Sequence, residues 1–163
     1  MTPSIRRASP GDITAITALG DRVVTDTYAA LTPPGYVDAL LATYWTAAAF
    51  AATLASPGDH LLVALDGDGV CGMAEAHQAD AESATLWKLY VAAHQQGRGL
   101  GRRLIDAIRA ELIPTTLWLR TEYLSANARA AGFYTAQGFK FERNEVEWIG
   151  QTPVKYTYVR RRL

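Results

Sequence analysis

Apolar residues recur at Ile13, Ile16, Leu19 and Val23, the spacing of one helix face, directly after the entry signal Ser9-Pro10-Gly11-Asp12. Ser4 to Ala8 before it has the character of a short strand. After the break Thr32-Pro33-Pro34-Gly35, a second helical pattern runs roughly from Tyr36 to Leu54 and stops at Pro57-Gly58-Asp59. The period then changes. His60 to Leu65 and Val70 to His77 are strands joined by the hairpin turn Asp66-Gly67-Asp68-Gly69. A polar loop, Gln78 to Ser83, leads to a strand from Thr85 to Val91, and Leu104, Ile105, Ile108 and Leu112 mark an amphipathic helix that opens at Leu100. Leu117 to Arg120 is a short strand, and Ser125 to Gln137 a helix stopped by Gly138. Two alternating strands around Gly150, Phe141 to Trp148 and Val154 to Val159, complete the chain. Strands and helices mix along the whole length, so the class is α/β or α+β.

Composition narrows the function. The 163 residues suit one domain. Sixteen basic and sixteen acidic side chains cancel, unlike the basic balance of a nucleic-acid binder. A single cysteine, Cys71, excludes an intrachain disulfide and a CxxC pair, and next to Gly72 in an apolar strand it reads as a buried structural thiol. The three histidines, His60, His77 and His94, do not fall at metal-ligand spacing, so no metal is expected. No signal peptide or spanning segment stands out, which makes a cytoplasmic protein without a membrane partner the expectation.

The stretch 86–110, LWKLYVAAHQQGRGLGRRLIDAIRA, carries the chemistry. A strand ends at Val91, and Gly97, Gly99 and Gly101 open the following helix. Glycine lets the backbone approach a ligand closely, and the first turn of a helix offers unpaired N–H groups with a dipole that favours anions. Together these form a phosphate cradle, to which Arg98, Arg102 and Arg103 add positive charge. A Walker loop is excluded, because none of Lys88, Lys140 or Lys155 follows a glycine. A dinucleotide fingerprint meets Arg102 where Gly or Ala is required, and the chain lacks a second βαβ unit; Glu122 near the end of the next strand is what keeps a single-unit dinucleotide binder as a further alternative.

Gln96-Gly97-Arg98-Gly99-Leu100-Gly101 resembles the Q/R-x-x-G-x-G/A signature of the GNAT superfamily of acyl-CoA-dependent N-acetyltransferases. The preceding LYV resembles that family's strand, and NARAAGFYTAQGF, residues 127–139, its second motif. The opening IRRASPGDITAI is similar to the family's first strand and helix, so the likeness spans nearly the whole chain and is weakest between residues 30 and 60. It implies a mostly antiparallel central sheet of six to seven strands flanked by about four helices.

It also implies acetyl-CoA as co-substrate. Backbone N–H groups from Gln96 through Gly97, Arg98, Gly99, Leu100 and Gly101 to Arg102 would hold its pyrophosphate. The main chain of Leu89, Tyr90 and Val91 would pair with its pantetheine arm, with an amide of Leu89 or Val91 facing the acetyl oxygen. Asn127 would hydrogen-bond the coenzyme, Ala130 would allow close approach, and Tyr134 would protonate the departing thiolate. Asn127 and Tyr134, seven residues apart, are expected on one helix face. Glu75 and Glu122 are the candidate bases that take a proton from the amine, and His77 is a further candidate for a proton relay. Tyr28, Tyr36 and Trp45 are either an aromatic wall for a cation or core residues. The run of acids from Asp59 to Glu82 is either an acceptor cleft or two surface turns. The expected partner is a primary amine on a small molecule, polyamine or peptide, and a homodimer through the last strands is conceivable. A non-catalytic acyl-CoA-binding module is the alternative reading.

Overall fold

The alternating apolar stretches become seven strands of one sheet in the computed structural model, which describes residues 2–149 and 151–163. They are β1 (Ser4–Arg7), β2 (Asp59–Asp66), β3 (Gly69–Gln78), β4 (Ser83–Val91), β5 (Trp118–Leu124), β6 (Lys140–Ile149) and β7 (Thr152–Arg162), in the spatial order β1-β2-β3-β4-β5-β7-β6. Every neighbouring pair is antiparallel except β4 and β5. The helices are α1 (Ile13–Tyr28), α2 (Tyr36–Tyr44), α3 (Ala47–Ala55), α4 (Leu100–Glu111) and α5 (Ala128–Ala136). Gly150, expected between the last two strands, lies outside the described residues.

Three local expectations are corrected. The helix expected over 36–54 is two helices, because Thr46 turns extended and its hydroxyl caps α3 by accepting the Ala49 N–H at 3.1 Å. The break drives Trp45 into the core against Phe50 and Tyr90, with ring centroids 5.6 and 4.9 Å away. Strand β5 runs past Arg120 to Leu124 because β7 pairs along all of it. Helix α5 begins at Ala128, so Asn127 is its cap and not part of its face.

Glu75 on β3 meets Thr53 of α3, whereas a side chain on Gly72 would meet Leu100 and Leu104 of α4. Helices α3 and α4 therefore cover opposite faces of the sheet. The buried stripes Ile16, Leu19, Val23 and Val24 of α1 and Leu100, Leu104, Ile105 and Ile108 of α4 join the strands in one continuous core. Gly20 on α1 admits the Trp45 ring: a Cβ there would stand 2.0–2.7 Å from three ring atoms. Gly20→Ala is thus expected to lose ~3 kcal/mol or more by overpacking, read as a lower urea midpoint with an unchanged slope.

The parallel contact between β4 and β5 sets up the site. It consists of Ser83↔Trp118, Ala84↔Leu119 and Thr85↔Arg120, and ends there. Just beyond, β4 carries a bulge. Lys88 pairs with Glu75 and Leu86 with Ala76, which leaves Trp87 extra. A bulge bends its strand, and from this point β4 and β5 diverge, with the Thr121 hydroxyl at the vertex donating to the Leu86 carbonyl at 2.9 Å.

Candidate active site

Divergence leaves one edge of β4 open. The Ala92 N–H donates to Cys71 on the β3 side. Backbone groups alternate sides along a strand, so the amides of Leu89 and Val91 point away from β3, into the gap toward β5. At its end, the Val91 carbonyl accepts from Gln96 Nε2 at 2.7 Å, which ties the following loop to the strand. Tyr90, by the same alternation, turns its main-chain groups to Met73 on β3 and not into the gap, which corrects its expected pairing with the pantetheine arm. Its side chain turns into the core, and its hydroxyl meets that of Tyr28 at 3.0 Å.

The loop then climbs to α4 through Gly97 and Gly99, whose φ values of +73° and +81° lie in the left-handed region. The first bond of the helix runs from the Arg103 N–H to the Gly99 carbonyl. No backbone N–H from Gly97 to Arg102 has an acceptor among the described residues. Helix N-termini attract anions, so this exposed run of donors at the mouth of the gap is the candidate anion cradle. The Gln96 N–H is not part of it, since it donates to Ala93 at 3.2 Å; Gln96 acts through its side chain. Arg103 is turned away as well, donating to the Pro3 carbonyl. Arg98 and Arg102 remain exposed beside the cradle. Gly101 allows α5 to approach α4, with a would-be Cβ 3.1 Å from the Phe133 ring.

Helix α5 flanks the opposite wall. Asn127 is buried, and its Oδ1 accepts the Ala130 N–H at 3.0 Å, which leaves Nδ2 as its free donor. Tyr134, also buried, is stacked on Tyr123 with centroids 5.8 Å apart and boxed edge-on by Phe133 and Phe139. Burial holds its hydroxyl protonated far above the usual tyrosine range, only partly opposed by Thr121 at the vertex of the gap. Both roles weighed for Tyr134, core aromatic and polar group at the site, are compatible with this placement.

The two candidate bases separate cleanly. Glu75 accepts from Lys88 Nζ at 2.6 Å and from Thr53 at 3.0 Å, and Lys88 lies over the Trp45 and Phe50 rings at 5.9 and 5.4 Å. Its carboxylate is committed to a buried ion pair under α3. Glu122 on β5 has no ion-pair partner among the described residues. Burial, and then repulsion from Glu147, push its pKa up to about 7. Around it on the same sheet face stand Tyr158, which it opposes across β5 and β7, and Tyr156, paired with Leu124. Tyr158 donates to Glu147, and Tyr156 meets the Tyr36 hydroxyl. Tyr28 packs edge-on to Tyr36 at 6.2 Å. Trp45 is core; Tyr28 and Tyr36 belong to this second cluster.

Other candidates are drawn elsewhere. The acids of 59–82 sit in local arrangements: Asp59 with His77 at 2.5 Å, Asp66 with His94 and Gln95 at 2.8 Å, and Asp80 with Ser83. His77 is thereby committed to Asp59. Burial raises the Cys71 thiol to about 11, so it stays a thiol at neutral pH. Glu147, Tyr156 and Tyr158 went unnoticed in the sequence, because the register that brings β6 and β7 beside Glu122 leaves no local pattern.

The model of a family described as an acetyltransferase (GNAT) domain matches residues 57–141. Among solved structures, the chain is similar to a GCN5-related N-acetyltransferase from Rhodopseudomonas palustris. The TM-score is 0.81 at 23% identity, covering 100% of this chain and 97% of that one. The PaiA N-acetyltransferase from Thermoplasma acidophilum, in complex with coenzyme A, superposes with a TM-score of 0.81 at 19% identity, covering 96% and 98%. The ribosomal-protein-S18-alanine N-acetyltransferase from Escherichia coli follows at 0.74 and 18%, covering 98% and 93%. A search of curated proteins by sequence finds no match.

Proposed function

The chain belongs to the GNAT family of acetyltransferases, and from that premise we propose that it transfers the acetyl group of acetyl-CoA to a primary amine by direct attack, with both substrates bound. The observation that carries this reading is the run of acceptor-less amides from Gly97 to Arg102 placed at the end of an open strand edge. A diphosphate satisfies the amides, and an amide-bearing arm satisfies the edge, as a peptide does when it adds to a sheet. Acetyl-CoA supplies both, together with an activated thioester.

The residues of this chain divide the work. Leu89 or Val91 donates a main-chain N–H to the acetyl oxygen as negative charge grows on it. Asn127 Nδ2 is the donor that remains for the coenzyme arm, and Ala130 keeps the wall beside it low. Glu122 takes the amine proton. A free ammonium near ~10.4 is a poor match for an ordinary carboxylic acid near ~4.3, and the raised pKa of Glu122 closes more than two units of that gap. Tyr134 supplies its O–H to the departing sulfur. Because its pKa exceeds the ~8.5 of a thiol, it acts by a hydrogen bond that strengthens as the thiolate forms. Glu122 and Glu147, with the tyrosines around them, favour an acceptor that arrives as a cation.

Thermal denaturation with acetyl-CoA tests the reading. At about 100 times its Kd the coenzyme is expected to stabilise the chain by ~2.7 kcal/mol. Gly99→Val, which forces a branched residue to φ +81°, should abolish that shift in a folded protein. A native chain indifferent to acetyl-CoA refutes the proposal.

A further inference from the structure

Strand β6 is the last strand of the sheet, and its outer edge has no partner among the described residues. Unprotected edges pair with other strands, and natural sheets guard them. This one carries charged residues and a bulge, and among them exposed apolar side chains: Phe141, Val146 and Trp148 are 64%, 60% and 66% exposed. They share a face because of a bulge. Phe141 opposes Val159 and Arg143 opposes Tyr158, so Glu142 is the extra residue. Its carboxylate is drawn to Arg120 at 3.4 Å and Arg160 at 3.6 Å. With Glu142 set aside, Phe141, Asn144, Val146 and Trp148 lie on the face of Val159, Thr157, Lys155 and Pro153. Lys140, Arg143, Glu145 and Glu147 lie on the other, over Arg160, Tyr158, Tyr156 and Val154.

In that frame the strand reads Lys140, Phe141, Arg143, Asn144, Glu145, Val146, Glu147. The order is complementary to its own reverse. We propose that β6 is a homodimerisation edge: it pairs antiparallel with β6 of a second copy about a two-fold axis through Asn144. Arg143 then faces Glu145 of the partner subunit, and Lys140 faces Glu147 of the partner subunit. Phe141 faces Val146 of the partner subunit, and the two Asn144 amides meet on the axis. Each contact occurs twice, as an isologous interface requires. Cross-strand neighbours of this kind, opposite charges and apolar pairs, are the stabilising ones. Shifting the axis to Glu145 would set that carboxylate against its own copy, and shifting it to Val146 would set Glu145 against Glu147. Within one copy Arg143 already bonds Glu145 two residues away, so pairing exchanges one carboxylate for its equivalent across the axis. The exposed Trp148 ring extends the apolar face beyond Val146.

Sedimentation equilibrium over ~1–100 μM protein, with circular dichroism to confirm folding, tests the pairing. The wild type is expected to dimerise. Glu145→Arg places Arg143 against arginine twice and should weaken the dimer roughly 10- to 100-fold. The swap Arg143→Glu with Glu145→Arg restores opposite charges and should restore dimerisation. Val146→Asp, which touches no ion pair, should weaken it through the apolar face. A wild type monomeric throughout, or a dimer that Glu145→Arg leaves intact, overturns the proposal. So does a folded double variant that stays monomeric.

Discussion

Glu122→Gln is expected to cut turnover about 10²- to 10⁴-fold at neutral pH, the usual loss of a positioned base. The wild-type kcat/KM should rise with pH through about 7, where Glu122 gives up its proton, and the variant should lack that limb. A bound ammonium favours the carboxylate, so the limb in kcat should lie at lower pH than the one in kcat/KM. The same substitution should stabilise the fold. A carboxyl whose pKa rises from 4.5 to about 7 on folding binds its proton more tightly in the native state. Its relative stability is fullest below pH 4.5 and is lost as pH rises through 7, a swing of ~3 kcal/mol. The variant should therefore match the wild type at low pH and exceed it above pH 7. Persistence of the pH limb in Glu122→Gln would move the base elsewhere.

Tyr134→Phe should lower kcat by about 10²-fold while KM for acetyl-CoA changes little. The ring contacts with Tyr123, Phe133 and Phe139 survive the change, so the loss belongs to the hydroxyl. Since burial keeps that hydroxyl protonated well above neutrality, the effect should be flat with pH from 6 to 9, unlike that of Glu122. Single-turnover thiol release with enzyme in excess over acetyl-CoA reads it directly. A module that binds acyl-CoA without transferring the acyl group would show no turnover to lose.

Much of this site is readable along the chain. Gly97 and Gly99 lie in the loop and Gly101 in the first turn of α4, so the candidate cradle, whose donors are all local main chain, is legible from spacing alone. The alternation through Val91 and the stop at Gly138 likewise place the elements on either side. The helical spacing of 36–54 does not display the break at Trp45, because the place of its ring against Gly20 is a contact between distant residues. Glu75 and Glu122 look alike in sequence, each a lone acid in a strand. Only the sheet decides between them, giving Glu75 a lysine on β4 and Glu122 a second carboxylate on β6.

What a single segment dictates through its own backbone, the amphipathic helices, the alternating strands and the glycine-opened helix start, was settled by the order of residues. The bulge at Trp87 that parts β4 from β5, the neighbours that tune Glu122, and the frame shift at Glu142 that lines up β6 belong to the assembled sheet. They depend on register and burial between strands far apart in the chain, and those quantities exist only once the strands are side by side.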